Sequence, residues 1–362
     1  MRWTIKPKPD PNKVARLSKE LVVDDITSFL LIQRGIETFE EAKDFFRPDL
    51  KDLHDPFLMK DMDKAVARIE EAILNKENIL VYGDYDVDGT TSVALMSSYL
   101  LTYYSNVATY IPDRYDEGYG ISYKGIDFAE DNNFSLIIAL DCGIKAIDKV
   151  DYASKKAIDF IICDHHRPGT KIPNAKAILD PKRDDCNYPF KELCGCGVGF
   201  KLIQALASKK GETIEDLLLY LDLVATAIGA DIVPIVDENR ILAFHGLKVI
   251  NQNPRPGFKA IIEQVKKGTL TITDVVFIIA PRINAAGRMK HGNHAVTLLC
   301  ETDINLATQY ANEIDTYNSD RRDTDKRITI EALDQLEELK EQEAQEEQEE
   351  EQEEQEEQEE QE

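Results

Sequence analysis

Three aspartates, Asp84, Asp86 and Asp88, alternate within Gly83-Asp84-Tyr85-Asp86-Val87-Asp88-Gly89. Carboxylates this close repel one another, and a fold keeps them together when a cation, usually a divalent metal, neutralises the charge. The run overlaps the start of an EF-hand calcium loop, which requires a glutamate six positions after its glycine. Leu95 stands there, so that reading fails. Further acids and imidazoles follow at Asp141-Cys142-Gly143, Asp164-His165-His166 and Asp231. Carboxylates joined by imidazole suit Mn2+ or Mg2+. Zinc is disfavoured because Cys186, Cys194 and Cys196 do not form a paired thiolate set. Two such cations would stabilise the attacking and leaving oxygens of a phosphoryl displacement and supply hydroxide near neutral pH.

These residues can cooperate only if the chain brings them together. Short apolar, β-prone runs at Ile79–Tyr82, Val107–Ile111, Ser135–Leu140, Phe160–Cys163 and Ala177–Leu179 alternate with helical stretches. That alternation predicts an α/β fold, a mostly parallel sheet with helices on both faces. The acidic run, Asp141 and Asp164-His165-His166 each directly follow a strand, and ligands bind at the carboxyl ends of such strands. They are therefore expected to converge, with Asp231 joining from the end of a later helix. Asp141 is placed to bridge two cations. His165 is the expected ligand of its pair, and His166 the proton donor or phosphate contact.

The chain divides into a polar arm (1–60), the α/β domain (61–235), a smaller helical part (236–302), a long charged helix (303–340) and a Glu/Gln tail (341–362). The tail holds fourteen Glu and no base, so without it the formal net charge of −25 becomes −11. Nucleic-acid contacts must then come from local basic patches and bound cations, not from overall charge. With no stripe of apolar residues, the tail cannot bury itself and is a solvated helix or unstructured. The N-terminus lacks an apolar leader core and no run is long enough to span a membrane. Together with scattered cysteines this predicts a cytoplasmic protein with reduced thiols.

Gly83–Gly89, Asp141-Cys142-Gly143, Asp164-His165-His166 and Gly229-Ala230-Asp231-Ile232-Val233-Pro234 follow in order. Together they resemble the DHH phosphoesterase superfamily. Ala280-Pro281-Arg282-Ile283-Asn284-Ala285-Ala286-Gly287-Arg288-Met289 is similar to its RecJ branch, single-stranded-DNA-specific exonucleases. The resemblance covers roughly residues 20 to 335. It implies 5′→3′ digestion of single-stranded DNA to mononucleotides with two Mn2+ or Mg2+ ions, in repair or recombination. A single-strand-binding protein or a helicase would be the candidate protein partner. Carried over by motif, Asp86 and Asp141 would hold one metal, and Asp88, Asp141, His165 and Asp231 the other. Asp84 and His166 would stand behind the ligands or touch the scissile phosphate.

The chain departs from the family pattern where Tyr82 replaces a metal-binding histidine of some members, and where the Glu/Gln tract stands in place of a second, nucleic-acid-holding domain. Arg282, Asn284 and Arg288 around Gly287 are expected to form a phosphate-binding loop, since guanidinium takes phosphate bidentately and glycine lets a backbone approach. Tyr115, Tyr119 and Tyr123 are candidates for contacting DNA. Two other readings remain: a phosphoesterase for short oligonucleotides or small phosphate compounds, and an inactive repair scaffold.

Overall fold

The structure is a computed structural model that describes residues 4–359; the last three residues of the tail lie outside them. Five strands, β1 (Asn78–Gly83), β2 (Val107–Tyr110), β3 (Phe134–Leu140), β4 (Asp159–Cys163) and β5 (Ala177–Leu179), form one parallel sheet in the order β2-β1-β3-β4-β5. The order reverses between β1 and β3, which opens a crevice at the strands' carboxyl ends.

Three short helices, α1 (Pro11–Leu21), α2 (Asp25–Ile32) and α3 (Phe39–Phe46), make the N-terminal arm, with a small core of its own around Leu17 and Leu31. The domain itself adds α4 (Met62–Leu74), α5 (Val87–Leu100), α6 (Tyr123–Asp131), α7 (Ile147–Lys155), α8 (Gly195–Lys209) and α9 (Leu221–Ala230). Side chains alternate along the strands, so each strand feeds two cores. Ile79, Val81, Ile138 and Leu140 pack in a large core with α4, α5, α8 and α9. Leu80, Tyr82, Ile137 and Ala139 pack in a smaller core with Ile126 of α6 and Val150 of α7.

Beyond the domain come α10 (Asp237–Gln252), α11 (Pro256–Val265), the short α12 (Ile272–Asp274), a π-helical turn (Val275–Ile279), α13 (Ala280–Met289), α14 (Asn293–Cys300) and α15 (Ile304–Glu359). One expectation changes here. The Arg/Asn segment is not a loop: residues 280–289 are helical, with Pro281 in the first turn, where its missing N–H costs nothing. Of the two states left open for the Glu/Gln tract the structure takes the helical one, α15 continuing past 340 to Glu359. Among the described residues no helix is long and apolar enough to cross a membrane, and all six cysteines are free thiols.

Candidate metal centre

The carboxyl edge of the sheet gathers the acids. β1 runs straight into the acidic segment, and Asp86 caps α5 by accepting the Gly89 amide at 2.9 Å. Asp88 therefore lies in the first turn of α5. Its two oxygens accept amides from the start of α8, Gly195 at 2.6 Å and Cys196 at 2.7 Å. Those amides have no partner inside their own helix, and the positive end of the helix favours an anion there. Asp141 follows β3 in a left-handed backbone conformation (φ 58°), one that aspartate tolerates. A Cβ on Gly195 would sit 2.5 Å from Asp141 Cβ, so only glycine lets α8 start beside this carboxylate.

These residues meet at one atom. His165 Nε2 lies 3.2 Å from Asp141 Oδ1, 3.6 Å from Asp231 Oδ2 and 3.8 Å from Asp88 Oδ2. His165 Nε2 and Asp141 Oδ1 are buried without a hydrogen-bond partner. Two overlapping sets, Asp141/His165/His166 and Asp88/His165/Asp231, each offer ligand atoms within 4.8 Å of one another. Burial first, and then the neighbouring carboxylates, push Asp88 up to about 8 and Asp141 well above its ordinary range. Asp231 rises to about 6 by burial and the charge of Asp86. Burial holds His165 down at about 4, which leaves its imidazole neutral with a lone pair to give. Crowded acids, a neutral imidazole and two orphaned polar atoms fit a divalent cation.

The remaining expected residues divide by what their atoms already do. Asp84 is fully buried, and its oxygens accept amides from Tyr85 at 2.6 Å and Gly120 at 2.7 Å, which makes it a post for two loops. Asp86 belongs to neither three-residue set, although its charge reaches Asp84, Asp88, Asp141 and Asp231. His166 is half-exposed, and its Nδ1 pairs with Asp164 Oδ1 at 2.7 Å, which raises its pKa. Asp164 also accepts the amides of Ile144, His165 and His166 at 2.9, 2.7 and 3.0 Å. Burial works against its charge, but these bonds hold Asp164 below the usual carboxylate range.

Tyr82 points away from the acids into the smaller core, where its hydroxyl donates to Gly120 O at 2.9 Å and accepts from Ser122 N at 3.1 Å. It steadies the loop whose Gly120 amide bonds Asp84.

Helix α13 closes the other side of the crevice. Gly287 is needed because a Cβ there would lie 2.5 Å from Tyr85 O, so its glycine admits the acidic segment rather than a phosphate. Asn284 and Arg288 line a small cavity with Val87, Ala230 and Arg321 of α15. Arg282 turns away from them and pairs with Asp315 of α15 at 3.0 Å. Of the three residues expected in one phosphate loop, two share a cavity and the third ties two helices together. Tyr115, from the loop after β2, donates to Arg288 O at 3.0 Å. The roles of Asp164 and Gly195 were not read from sequence; only Asp164, inside the Asp-His-His run, carried a signal.

The model of the DHH family's N-terminal domain matches residues 78–228. The chain is 41% identical over 336 residues to the single-stranded-DNA-specific exonuclease RecJ of Bacillus subtilis, covering 92% of this chain and 42% of that protein. It is 37% identical over 285 residues to RecJ of Escherichia coli, covering 75% and 49%. The chain thus spans about half the length of the curated relatives it matches. A crystal structure of exonuclease RecJ bound to manganese superposes with a TM-score of 0.71 at 30% identity, covering 77% of this chain and 70% of that one. RecJ of Thermus thermophilus in complex with Mn2+ gives 0.77 at 27% identity, covering 90% and 47%.

Proposed function

The chain belongs to the DHH family, in its RecJ branch, and on that premise we propose that it is a 5′→3′ exonuclease hydrolysing single-stranded DNA to mononucleotides with Mn2+ or Mg2+. The observation that carries this reading is the convergence of Asp88, Asp141 and Asp231 on the unpartnered Nε2 of His165. Those four residues would hold divalent cation, with Asp86 supplying its free oxygen from the rim. A cation held there would supply polarisation of the phosphodiester and hydroxide near neutral pH.

The chain's own groups do the rest. Asp164 fixes the His166 ring and keeps its proton, so the half-exposed imidazole can donate to a phosphate oxygen or the departing sugar oxygen. Asp84 touches no substrate in this reading; it holds the Tyr85 and Gly120 backbones in place. Asn284 and Arg288, with Arg321, receive the strand's phosphates beside the acids, where Arg offers a planar fork to phosphate oxygens. The free thiols suit a reducing compartment, the cytoplasm. A single-strand-binding protein or helicase would deliver the strand.

The test is release of labelled mononucleotides from 5′-labelled single strands in Mn2+, compared with Asp141→Ala and with duplex of the same sequence. Release that Asp141→Ala abolishes and duplex does not support is the expected result. A wild-type chain that releases nothing overturns the proposal.

A further inference from the structure

The carboxylate of Asp231 differs from its neighbours in how it is held. Asp88 is fixed by the amides of Gly195 and Cys196, but no hydrogen-bond donor among the described residues fixes Asp231. Its direction therefore depends on its backbone, where α9 ends and a largely exposed link leads to α10. That link is strained. Ile232 comes directly after Asp231 with φ 57°, a left-handed conformation that a β-branched residue rarely adopts. Such residues persist only where their surroundings hold them. Little holds this one: among the described residues, the backbone of residues 232–235 makes a single hydrogen bond.

That bond comes from Asn239, in the first turn of α10. Its amide nitrogen donates to Pro234 O at 3.0 Å and to Glu192 O at 2.6 Å. Both partners are carbonyls, so the nitrogen and not the oxygen must face them. Asn239 is fully buried, and its Oδ1 has no partner. An aliphatic side chain would avoid that unmet acceptor, so packing alone does not account for an amide here. Pro234 follows Asp231 by three residues, and Glu192 precedes by three residues Gly195, whose amide holds Asp88. One buried amide thus grips both segments that present carboxylates to His165. The turn that carries it is itself anchored. Glu238 accepts from Tyr188 Oη at 2.7 Å, Lys201 Nζ at 2.9 Å and the His54 amide at 3.0 Å.

We propose that Asn239 is a positioning residue of the metal centre: by pinning Pro234 and Glu192 it holds the left-handed turn at Ile232 and sets the Asp231 carboxylate opposite Asp88. The inference rests on the metal-dependent reading above and adds what keeps its least supported carboxylate in place. Asn239 is buried away from any strand, so its effect passes through the backbone alone. Without the bond to Pro234, Ile232 relaxes to an ordinary conformation and carries Asp231 away from His165 Nε2, which lies 3.6 Å from it in the intact chain.

The test titrates Mn2+ calorimetrically into the whole chain and its variants. Asn239→Ala is expected to lose about 10–100-fold in Mn2+ affinity, the usual cost of removing a group that orients a metal-binding side chain. Ile232→Gly makes the left-handed turn free of strain. In the Asn239→Ala background it should restore most of the lost affinity, and alone it should change little. Ile232→Pro forbids the turn at an exposed position whose amide bonds nothing in the backbone. It should weaken Mn2+ as Asn239→Ala does, with a melting temperature in EDTA close to wild type. On 5′-labelled single strands, kcat of Asn239→Ala should fall at limiting Mn2+ and recover at saturating Mn2+, with KM for the strand unchanged.

A folded Asn239→Ala with wild-type Mn2+ affinity overturns the inference. So does a loss that Ile232→Gly leaves untouched, since packing alone would then explain it. If Asn239→Ala does not fold, Ile232→Pro decides, and unchanged affinity there overturns the inference equally. A chain that binds Mn2+ and is weakened by the variants as described, yet releases no nucleotide, upholds this inference and sinks the exonuclease reading. A wild type that binds no Mn2+ overturns both.

Discussion

Asp231→Asn should make the metal-free protein more stable and the metal-loaded protein less so. Ligand oxygens of Asp88 and Asp231 lie within 4.8 Å of each other. Above about pH 8, where both carboxyls are ionised, two unit charges at that distance repel by about 3–4 kcal/mol at an effective dielectric of about 20. The Asp231 side chain is 33% exposed, and water screening reduces that to about 1–2 kcal/mol. Asp231 also caps the C-terminus of α9, where the helix dipole disfavours an anion. Asparagine keeps the shape and removes both penalties. In EDTA above about pH 8 the variant should therefore gain about 1–2 kcal/mol, a rise of about 2–6 °C in Tm. At 100 times its Kd, Mn2+ should stabilise the wild type by about 2.7 kcal/mol. The variant, short of one ligand, should gain clearly less, so the two melting curves change order. Thermal unfolding followed by circular dichroism in EDTA and in Mn2+ reads this directly. A variant that melts below wild type in EDTA refutes the repulsion argument. Equal gains from Mn2+ refute the assignment of Asp231 as a ligand.

Three further outcomes follow from single contacts. Gly195→Ala pushes a methyl against Asp141 and should cut Mn2+ affinity by about 10–100-fold by calorimetry while the protein stays folded; unchanged affinity would show that Asp141 can move freely. Asp180, fully buried after β5 with one oxygen unpartnered, has its pKa pushed up to about 7 by burial. The folded state prefers its protonated form, so this contribution to stability is complete below about pH 4 and is lost as pH rises toward 7, by about 1.4 kcal/mol per pH unit. The stability difference between Asp180→Asn and wild type should widen in favour of the variant over that window, and a difference independent of pH contradicts it. Lys201 and Glu238 form a wholly buried ion pair at 2.9 Å. Lys201→Met alone should cost about 3–5 kcal/mol and Lys201→Met/Glu238→Leu markedly less, which a urea-denaturation cycle would measure; additive losses would mean the pair is uncoupled.

The strands and the meeting of their acidic ends were legible because both depend on local patterns, apolar runs of strand length followed by aspartates. Sequence could not assign residues 280–289 to a helix. Pro281 and Gly287 read as turn formers, and only the packed structure shows that Pro281 occupies a first turn while Gly287 makes room for Tyr85. Arg282 was misplaced for the same reason: its direction depends on α15, more than thirty residues away in the chain. Gly195 carried no signal at all, since its value is the absence of a Cβ next to a residue of another loop.

Hydrogen bonding sorts the acids of this edge more sharply than burial does. Asp84, Asp141 and Asp164 are all buried at the ends of strands. Asp84 and Asp164 have both oxygens occupied by backbone amides, so a cation would have to compete with bonds that already hold the loops. Asp141 Oδ1 and His165 Nε2 have no partner, and leaving them so costs about 1–3 kcal/mol each. Asp88, like Asp84, takes one amide on each oxygen and keeps a lone pair on each; what sets it apart is its place, within reach of His165 and Asp231, where the start of α8 aims it. The amide-saturated acid is thus framework, and the gathered groups with lone pairs to spare are those a metal can claim. That distinction places Asp164 outside the ligand set by its bonds, and Asp84 by its distance from the gathered ligand atoms. It also explains why a fold would accept so costly a corner: the unsatisfied atoms face a common point, where one bound charge relieves all of them together.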